Sequence, residues 1–174
     1  KDKGAVIINE TVWTDEKGRP VLPYYGADAA LILAQAKELG LDVNFYGADG
    51  IADIVDYVAD KSVLTKVVYT DHFSTDAQSE IAVNFVKAFE AEYGKAPTIS
   101  FSATGYDAAV VLLAAIEAAG STDAKAIVDA IKATNLTAVS GNITFDDHND
   151  TIKSIFFQTF DGEGNKFFLK QVDP

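Results

Sequence analysis

Apolar residues recur at helical spacing in some segments of the chain and form short β-branched or aromatic runs in others. The short runs predict strands at 5–13, 41–46 and 63–70. The helical spacing predicts helices at 27–39, 51–59, 76–93, 101–119 and 121–134. Gly40 and Gly94 directly follow two of these helices, at the position where glycine commonly ends a helix. This part of the chain therefore has the strand–helix alternation of a parallel α/β sheet.

The pattern changes after Ser140, where strands are expected at 142–145, 152–160 and 166–172. Two polar turns separate these strands, DDHND at 146–150 and DGEGN at 161–165, as in antiparallel hairpins. The predicted fold class is therefore α/β, with a Rossmann-like parallel sheet flanked by helices and a β-rich antiparallel C-terminal part.

The helix predicted at 101–119 is almost wholly apolar, and a helix that is apolar on all sides is expected to be buried between layers. Its longest apolar run, Ala108 to Ala119, is interrupted by Glu117. Because a membrane-spanning helix needs about 18 consecutive apolar residues, no membrane span is expected.

The amino-acid composition excludes some classes of binding partner and site. Of the 174 residues 48% are hydrophobic, which is enough for a folded core, and the net charge is −12. That charge repels phosphate backbones, so nucleic acid is not expected as a partner. There is no cysteine, which excludes disulfides and thiolate metal sites. The chain begins at Lys1 without an apolar leader, so we expect a processed or trimmed product from which the signal peptide is absent.

The segment Gly47-Ala48-Asp49-Gly50 follows a predicted strand and precedes a predicted helix. Ligands of open α/β sheets bind at such carboxyl ends of strands. The segment matches neither the dinucleotide nor the P-loop glycine motif, and the Asp49 carboxylate suits an ammonium group rather than a phosphate. Asp49 can equally be the N-cap of the helix that follows.

The segment Pro23-Tyr24-Tyr25-Gly26 also precedes a helix at a strand end. A tyrosine ring can cover an aliphatic ligand while its hydroxyl reaches a polar group. Packing is the alternative role for two adjacent tyrosines.

Residues for catalysis cannot be assembled from this sequence. His148 lies in a polar turn, and His72 has no G-x-S-x-G serine to activate. The acidic turns lack the spacing of a calcium loop. We therefore expect no enzyme activity, no catalytic or metal-binding residues and no cofactor.

Several segments, in order, resemble the leucine/isoleucine/valine-binding branch of the type I periplasmic-binding-protein family. They are PYYGADAALILAQAKELGLDVNFYGADG (23–50), YTDHFS (69–74), FVKAFEAEYGKAPTISFSATGYDAAVVLLAAIEAAGSTDAKAIVDAIKAT (85–134) and SGNITFDDHNDTIKS (140–154). The resemblance implies two α/β lobes, joined by three crossovers, that close on a ligand. It assigns 1–61 to the C-terminal-type lobe, 62–135 to the N-terminal-type lobe, and 136–174 to a segment returning to the first lobe.

The resemblance also implies site residues. In relatives a tyrosine of the YY-type motif contacts the ligand, and the acid of the G-x-[DE]-G turn pairs with its α-ammonium group. These positions correspond to Tyr25, with Tyr24 as the alternative register, and to Asp49, which is one methylene shorter than the Glu common in relatives. Phe101 and Ser102, at the start of the apolar helix, are the further expected contacts.

The implied function is an extracytoplasmic solute-binding protein of an ABC importer, with a branched-chain or other amino acid as ligand and the transporter permease as partner. Full members are about twice as long, and the first half of their N-terminal lobe has no counterpart here. The alternatives are therefore a non-binding half-receptor or a scaffold that forms a homodimer. A flavodoxin-like or Rossmann-like enzyme is a further alternative.

Overall fold

The computed structural model describes residues 21–22 and 24–174, so the strand predicted at 5–13 lies outside the described residues. In chain order the elements are β1 (Val21–Leu22), α1 (Gly26–Glu38), β2 (Phe45–Gly47), 3₁₀ turns at Asp49–Ile51, Ile54–Asp56 and Lys61–Lys66, β3 (Val67–Asp71), α2 (Glu80–Tyr93), α3 (Phe101–Ala119), α4 (Ala124–Lys132), β4 (Leu136–Ala138), β5 (Gly141–Phe145), β6 (Thr151–Ile152), β7 (Ile155–Phe160) and β8 (Lys166–Val172). The predicted α/β class is confirmed.

The described residues form two compact units. The first consists of the residues up to Asp71 together with Phe156–Lys170, and the second of His72–Ile155 together with Gln171–Pro174. These divisions lie ten to twenty residues beyond the boundaries expected at 61 and 135. Strand β3 belongs to the first unit because it pairs with β2 on one side and with β7 on the other.

The first unit is built on a five-stranded sheet in the order β1-β2-β3-β7-β8. Strands β1, β2 and β3 are parallel, whereas β7 runs antiparallel to β3. The core contains large apolar side chains from the sheet, from α1 and from the 3₁₀ turns, namely Leu22, Leu33, Phe45, Ile51, Ile54, Leu64, Val67, Phe156 and Phe160. The predicted combination of parallel strands with an antiparallel C-terminal part is thus present in this sheet.

The segment 51–59 forms 3₁₀ turns rather than the predicted α-helix. Ile51 and Ile54 are three residues apart and both are fully buried, a spacing that matches three residues per 3₁₀ turn. Burial of these two side chains therefore does not require an α-helix here.

The second unit contains helices α2, α3 and α4 and the antiparallel sheet β4-β5-β6. Strand β4 was not predicted, whereas the β5–β6 hairpin around 146–150 was. Aromatic rings line the contact of α2 with its neighbours: Phe85 lies 5.9 Å from Phe73 and 5.4 Å from Tyr106 between ring centroids. Gly94 ends α2 in the left-handed conformation, as predicted, with φ of 73°.

Helix α3 has the predicted bounds, but the prediction that it is buried on all sides is wrong. Its buried residues, Ala103, Asp107, Val111 and Ala115, lie on one face, while Leu112 and Leu113 are 45% and 66% exposed. By length and composition alone the whole helix could cross a membrane, a test that core helices of soluble proteins also pass, so the expected absence of a membrane span stays a prediction.

Candidate functional site

Two neighbouring strands of the first unit end beside each other. Leu22 of β1 pairs with Gly47 of β2, and the two strands are parallel. Tyr24 and Tyr25 follow the first strand, and Asp49 follows the second. The tyrosines and the carboxylate predicted from the sequence therefore share one edge of the sheet, the edge at which open α/β sheets bind ligands.

Gly50 allows the two segments to approach closely. A β-carbon at this position would lie 3.2 Å from the Tyr24 carbonyl oxygen and 3.4 Å from Cδ1 of the Tyr25 ring. The Tyr25 ring thus lies against the turn that carries Asp49, yet 74% of its surface is exposed. Tyr25 therefore exposes an apolar ring surface beside the turn that contains Asp49.

Asp49 is the first residue of a 3₁₀ turn, and the cap position belongs to Ala48. The alternative that Asp49 is the N-cap is therefore wrong. The Asp49 side chain is half-buried, while its carbonyl oxygen accepts a hydrogen bond from the Ala52 N–H at 3.0 Å.

Phe101 and Ser102 lie in the second unit, at the start of α3. Phe101 is half-exposed and lines a groove of about 600 Å³ within that unit, whereas Ser102 is not among the residues that line it. Their predicted role as ligand contacts stays a prediction.

Several polar residues also line this groove, among them Lys153, Ser140 and Asp107. The Lys153 ammonium donates hydrogen bonds to Ser140 Oγ at 2.8 Å and to the His72 carbonyl oxygen at 3.3 Å. Asp107 lines the same groove and accepts hydrogen bonds from the N–H groups of Val139 and Ser140. The sequence analysis did not predict this cluster, and its one signal was Asp107 within a helix that is mostly apolar.

A second buried polar cluster lies in the first unit, around Tyr69 and Asp71 on β3. Gln158 Nε2 donates to Asp71 Oδ2 at 3.1 Å. Burial, with a smaller effect of the Asp71 charge, raises the pKa of Tyr69, whose hydroxyl is buried without a hydrogen-bond partner. The Tyr69 phenol therefore stays protonated at neutral pH. Burial also lowers the pKa of Lys166, and nearby carboxylates oppose that change.

Over residues 21–22 and 24–174, no group of three or more histidines or acids could hold a metal ion.

A family model described as periplasmic binding protein matches residues 21–165. The chain belongs to the periplasmic binding protein family. The predicted type I fold of the branched-chain amino-acid branch is confirmed by the relatives below.

Three of these relatives are similar over most of the chain. A leucine-, isoleucine-, valine-, threonine- and alanine-binding protein of Pseudomonas aeruginosa is 27% identical over 139 residues, which cover 79% of this chain and 36% of that protein. The leucine-binding protein LivK of Thermotoga maritima is 32% identical with a TM-score of 0.79, covering 88% of this chain and 44% of that one. The substrate-binding protein LivJ of Streptococcus pneumoniae, solved with isoleucine, is 25% identical with a TM-score of 0.73, covering 89% and 46%.

This periplasmic binding protein spans less than half the length of those three relatives. The three are named as binding proteins rather than as enzymes, and membership of the family implies an extracytoplasmic location.

Proposed function

We propose that the chain is the amino-acid-contacting part of an extracytoplasmic solute-binding protein that serves an ABC importer. The observation that carries the proposal is the position of the Tyr25 ring against the Asp49–Gly50 turn, at the carboxyl ends of β1 and β2. The names of the relatives support a branched-chain amino acid as the ligand class. The transporter permease is the proposed protein partner.

In this proposal the Asp49 carboxylate pairs with the α-ammonium group, and Tyr25 covers the aliphatic side chain. Burial of an isobutyl group is worth roughly 2–3 kcal/mol. The charged pair fixes the orientation of the ligand, because an unpaired buried ammonium would be strongly unfavourable. Phe101 and Ser102 are proposed as weaker contacts, and the division of the chain between two lobes of a receptor stays part of the proposal.

Calorimetry with leucine, isoleucine and valine tests the proposal. Two matched analogues separate the contacts: 4-methylpentanoate lacks the ammonium group of leucine, and leucine amide lacks its carboxylate. We expect leucine amide to keep most of the affinity and 4-methylpentanoate to lose it. Absence of heat with every amino acid, for protein whose circular dichroism shows an intact fold, would reject a functional site in this chain.

A second candidate is a folded half-receptor that binds no ligand and forms a homodimer. The exposed apolar side chains of α3 favour it, since apolar surface of this kind commonly marks an interface. Light scattering after size-exclusion chromatography distinguishes the two, because a monomer that binds leucine excludes this candidate.

A further inference from the structure

Gly26, the first residue of helix α1, lies against the turn that follows Asp49. A β-carbon at Gly26 would overlap Oδ1 of Asp53 and would lie 3.0 Å from both the N and the Cα atom of Ile54. These separations are shorter than ordinary van der Waals contact, and the Ile54 atoms belong to the backbone, which cannot rotate away. The start of α1 and the Asp53–Ile54 segment therefore fit together only because residue 26 has no side chain.

This contact joins the two segments that carry the proposed ligand site. Gly26 directly follows Tyr25, and Asp53 lies four residues after Asp49. The Tyr25 ring meets the same turn at Gly50. The fit between Gly26 and Asp53 is therefore placed to determine how closely the Tyr25 ring approaches Asp49.

Asp53 does not have the role that its position in the turn would predict. It is the N-cap residue of the 3₁₀ turn Ile54–Asp56, where an aspartate side chain usually accepts a hydrogen bond from a backbone N–H of the turn. The Asp53 side chain accepts no such capping bond, and its Oδ1 instead fills the space beside Gly26. The Asp53 side chain therefore joins its turn to α1 rather than capping the turn itself.

The neighbouring acid Asp56 shares the charge of Asp53 but not this contact. Burial lowers the pKa of Lys166, and nearby carboxylates, Asp53 and Asp56 among them, oppose that change. Both acids therefore lie near the same ammonium group. Asp53, unlike Asp56, supplies one of the three atoms nearest to the β-carbon position of Gly26. Contact with α1 and charge near Lys166 can thus be tested separately.

We propose that Gly26 and Asp53 are positioning residues of the proposed ligand site, which together hold the Tyr25 ring against the Asp49–Gly50 turn. Neither residue needs to touch the ligand, since each acts through Tyr25 and Asp49. The effect on leucine rests on the proposed function, whereas the position of the ring is measurable without any ligand.

The test measures ring position and leucine affinity separately in the full chain. Nuclear Overhauser effects between the Tyr25 ring and the α-protons of Gly50 report the ring position in the free protein, and calorimetry reports the affinity. We expect Asp53→Ala to lose most of the Overhauser effect and to lower the leucine affinity by about tenfold, because a binding site depends on the residues that support its contacts. Asp53→Asn keeps the shape of the side chain and should restore both. The matched control, Asp56→Ala, removes an equal charge from an exposed position of the same turn and should change neither.

Gly26→Ala tests the other member of the pair. We expect a larger loss than in Asp53→Ala, because the added methyl group also meets the backbone of Ile54. Adding Asp53→Ala to Gly26→Ala should recover part of that loss, since it empties space that the methyl group needs. Two residues with independent roles would instead give additive losses. Circular dichroism of each variant confirms that loss of binding is not loss of folding.

Three results would overturn the proposal: an unchanged ring position in Asp53→Ala, equal losses in Asp53→Ala and Asp56→Ala, or additive losses in the double variant. If the wild-type chain binds no leucine, the proposed function fails, and the Overhauser effects still decide the positioning role. Their loss in Asp53→Ala with retention in Asp53→Asn supports it, and their retention in both rejects it. Should Gly26→Ala fail to fold, the Asp53 variants decide in the same way.

Discussion

The carboxylate of Asp107 in helix α3 accepts a hydrogen bond from the backbone N–H of Ser140, 33 residues further along the chain, at 2.9 Å. The Val139 N–H donates to the same carboxylate at 2.8 Å, and Asp107 is only 3% exposed. One side chain thus satisfies two buried backbone donors at the turn between β4 and β5, which joins that hairpin to the helix.

Replacement of Asp107 should destabilise the second unit. Asp107→Ala leaves two buried N–H groups without an acceptor, and we expect a loss of about 2–4 kcal/mol in the free energy of unfolding. Hydrogen exchange at the Val139 and Ser140 amides measures the change locally, and urea unfolding measures it globally. Asp147→Ala, at an exposed turn position, is the control and should stay within about 0.5 kcal/mol. Equal effects of the two variants would contradict the structural role of Asp107.

Asp49 should determine amino-acid affinity. Asp49→Asn removes the proposed partner of the ligand ammonium, and we expect a loss of about 3–5 kcal/mol in binding free energy. Asp49→Glu should retain binding, because the charge is kept and the reach increases. Asp28→Asn, an exposed acid in the first turn of α1, is the matched control for a change of net charge. Calorimetry with leucine compares the variants, and a similar loss in Asp28→Asn would refute specific pairing at Asp49.

Two glycines of the second unit should respond in opposite directions to alanine. Gly141 has φ of 113°, and a β-carbon there would lie 2.9 Å from Ser154 Oγ, so Gly141→Ala should cost about 1–3 kcal/mol. Gly105 lies within α3, and a β-carbon there meets nothing within 4 Å. Gly105→Ala should therefore stabilise the helix by about 0.5–1 kcal/mol. Urea unfolding of both variants tests the pair, and two changes of the same sign would contradict this account.

In the first unit, the ion pair between Lys37 and Asp60 should lower the pKa of the Asp60 carboxyl group. Hydrogen bonding from Lys37 lowers the pKa of Asp60 from its ordinary value of 3.8 to about 2, with help from Ser62. Because the folded-state pKa is depressed, the contribution of the pair to stability is present above pH 3.8 and is lost as the pH falls through about 2.

Carbon-13 NMR of the carboxyl groups measures this shift. Lys37→Met should raise the pKa of Asp60 part of the way, since the hydrogen bond from the Ser62 N–H to Asp60 Oδ1, at 3.0 Å, remains. The pKa of Asp42, which Lys66 lowers, serves as the internal control and should not move. A pKa of Asp60 that is unchanged in Lys37→Met would disprove the pairing.

Part of the site could be predicted from local sequence. Tyr25 and Asp49 each follow a strand, and parallel strands end at a common edge, so their proximity follows from the pattern of elements. The contact of Lys153 with Ser140 and His72 could not be predicted in this way. Lys153 lies 13 residues from Ser140 and 81 residues from His72. A pattern of residues a few positions apart cannot predict such contacts.

The sequence by itself determined the α/β class, the bounds of α3, the glycine end of α2 and the strand-end positions of Tyr25 and Asp49, because these depend on residues a few positions apart. The tertiary structure decided which face of α3 is buried, the 3₁₀ form of 51–59 and the pairing of Asp107 with the β4–β5 turn. These depend on which surfaces meet in space. The apolar sequence of helix α3 predicts that it packs against other elements, but only the tertiary structure shows which of its faces is buried.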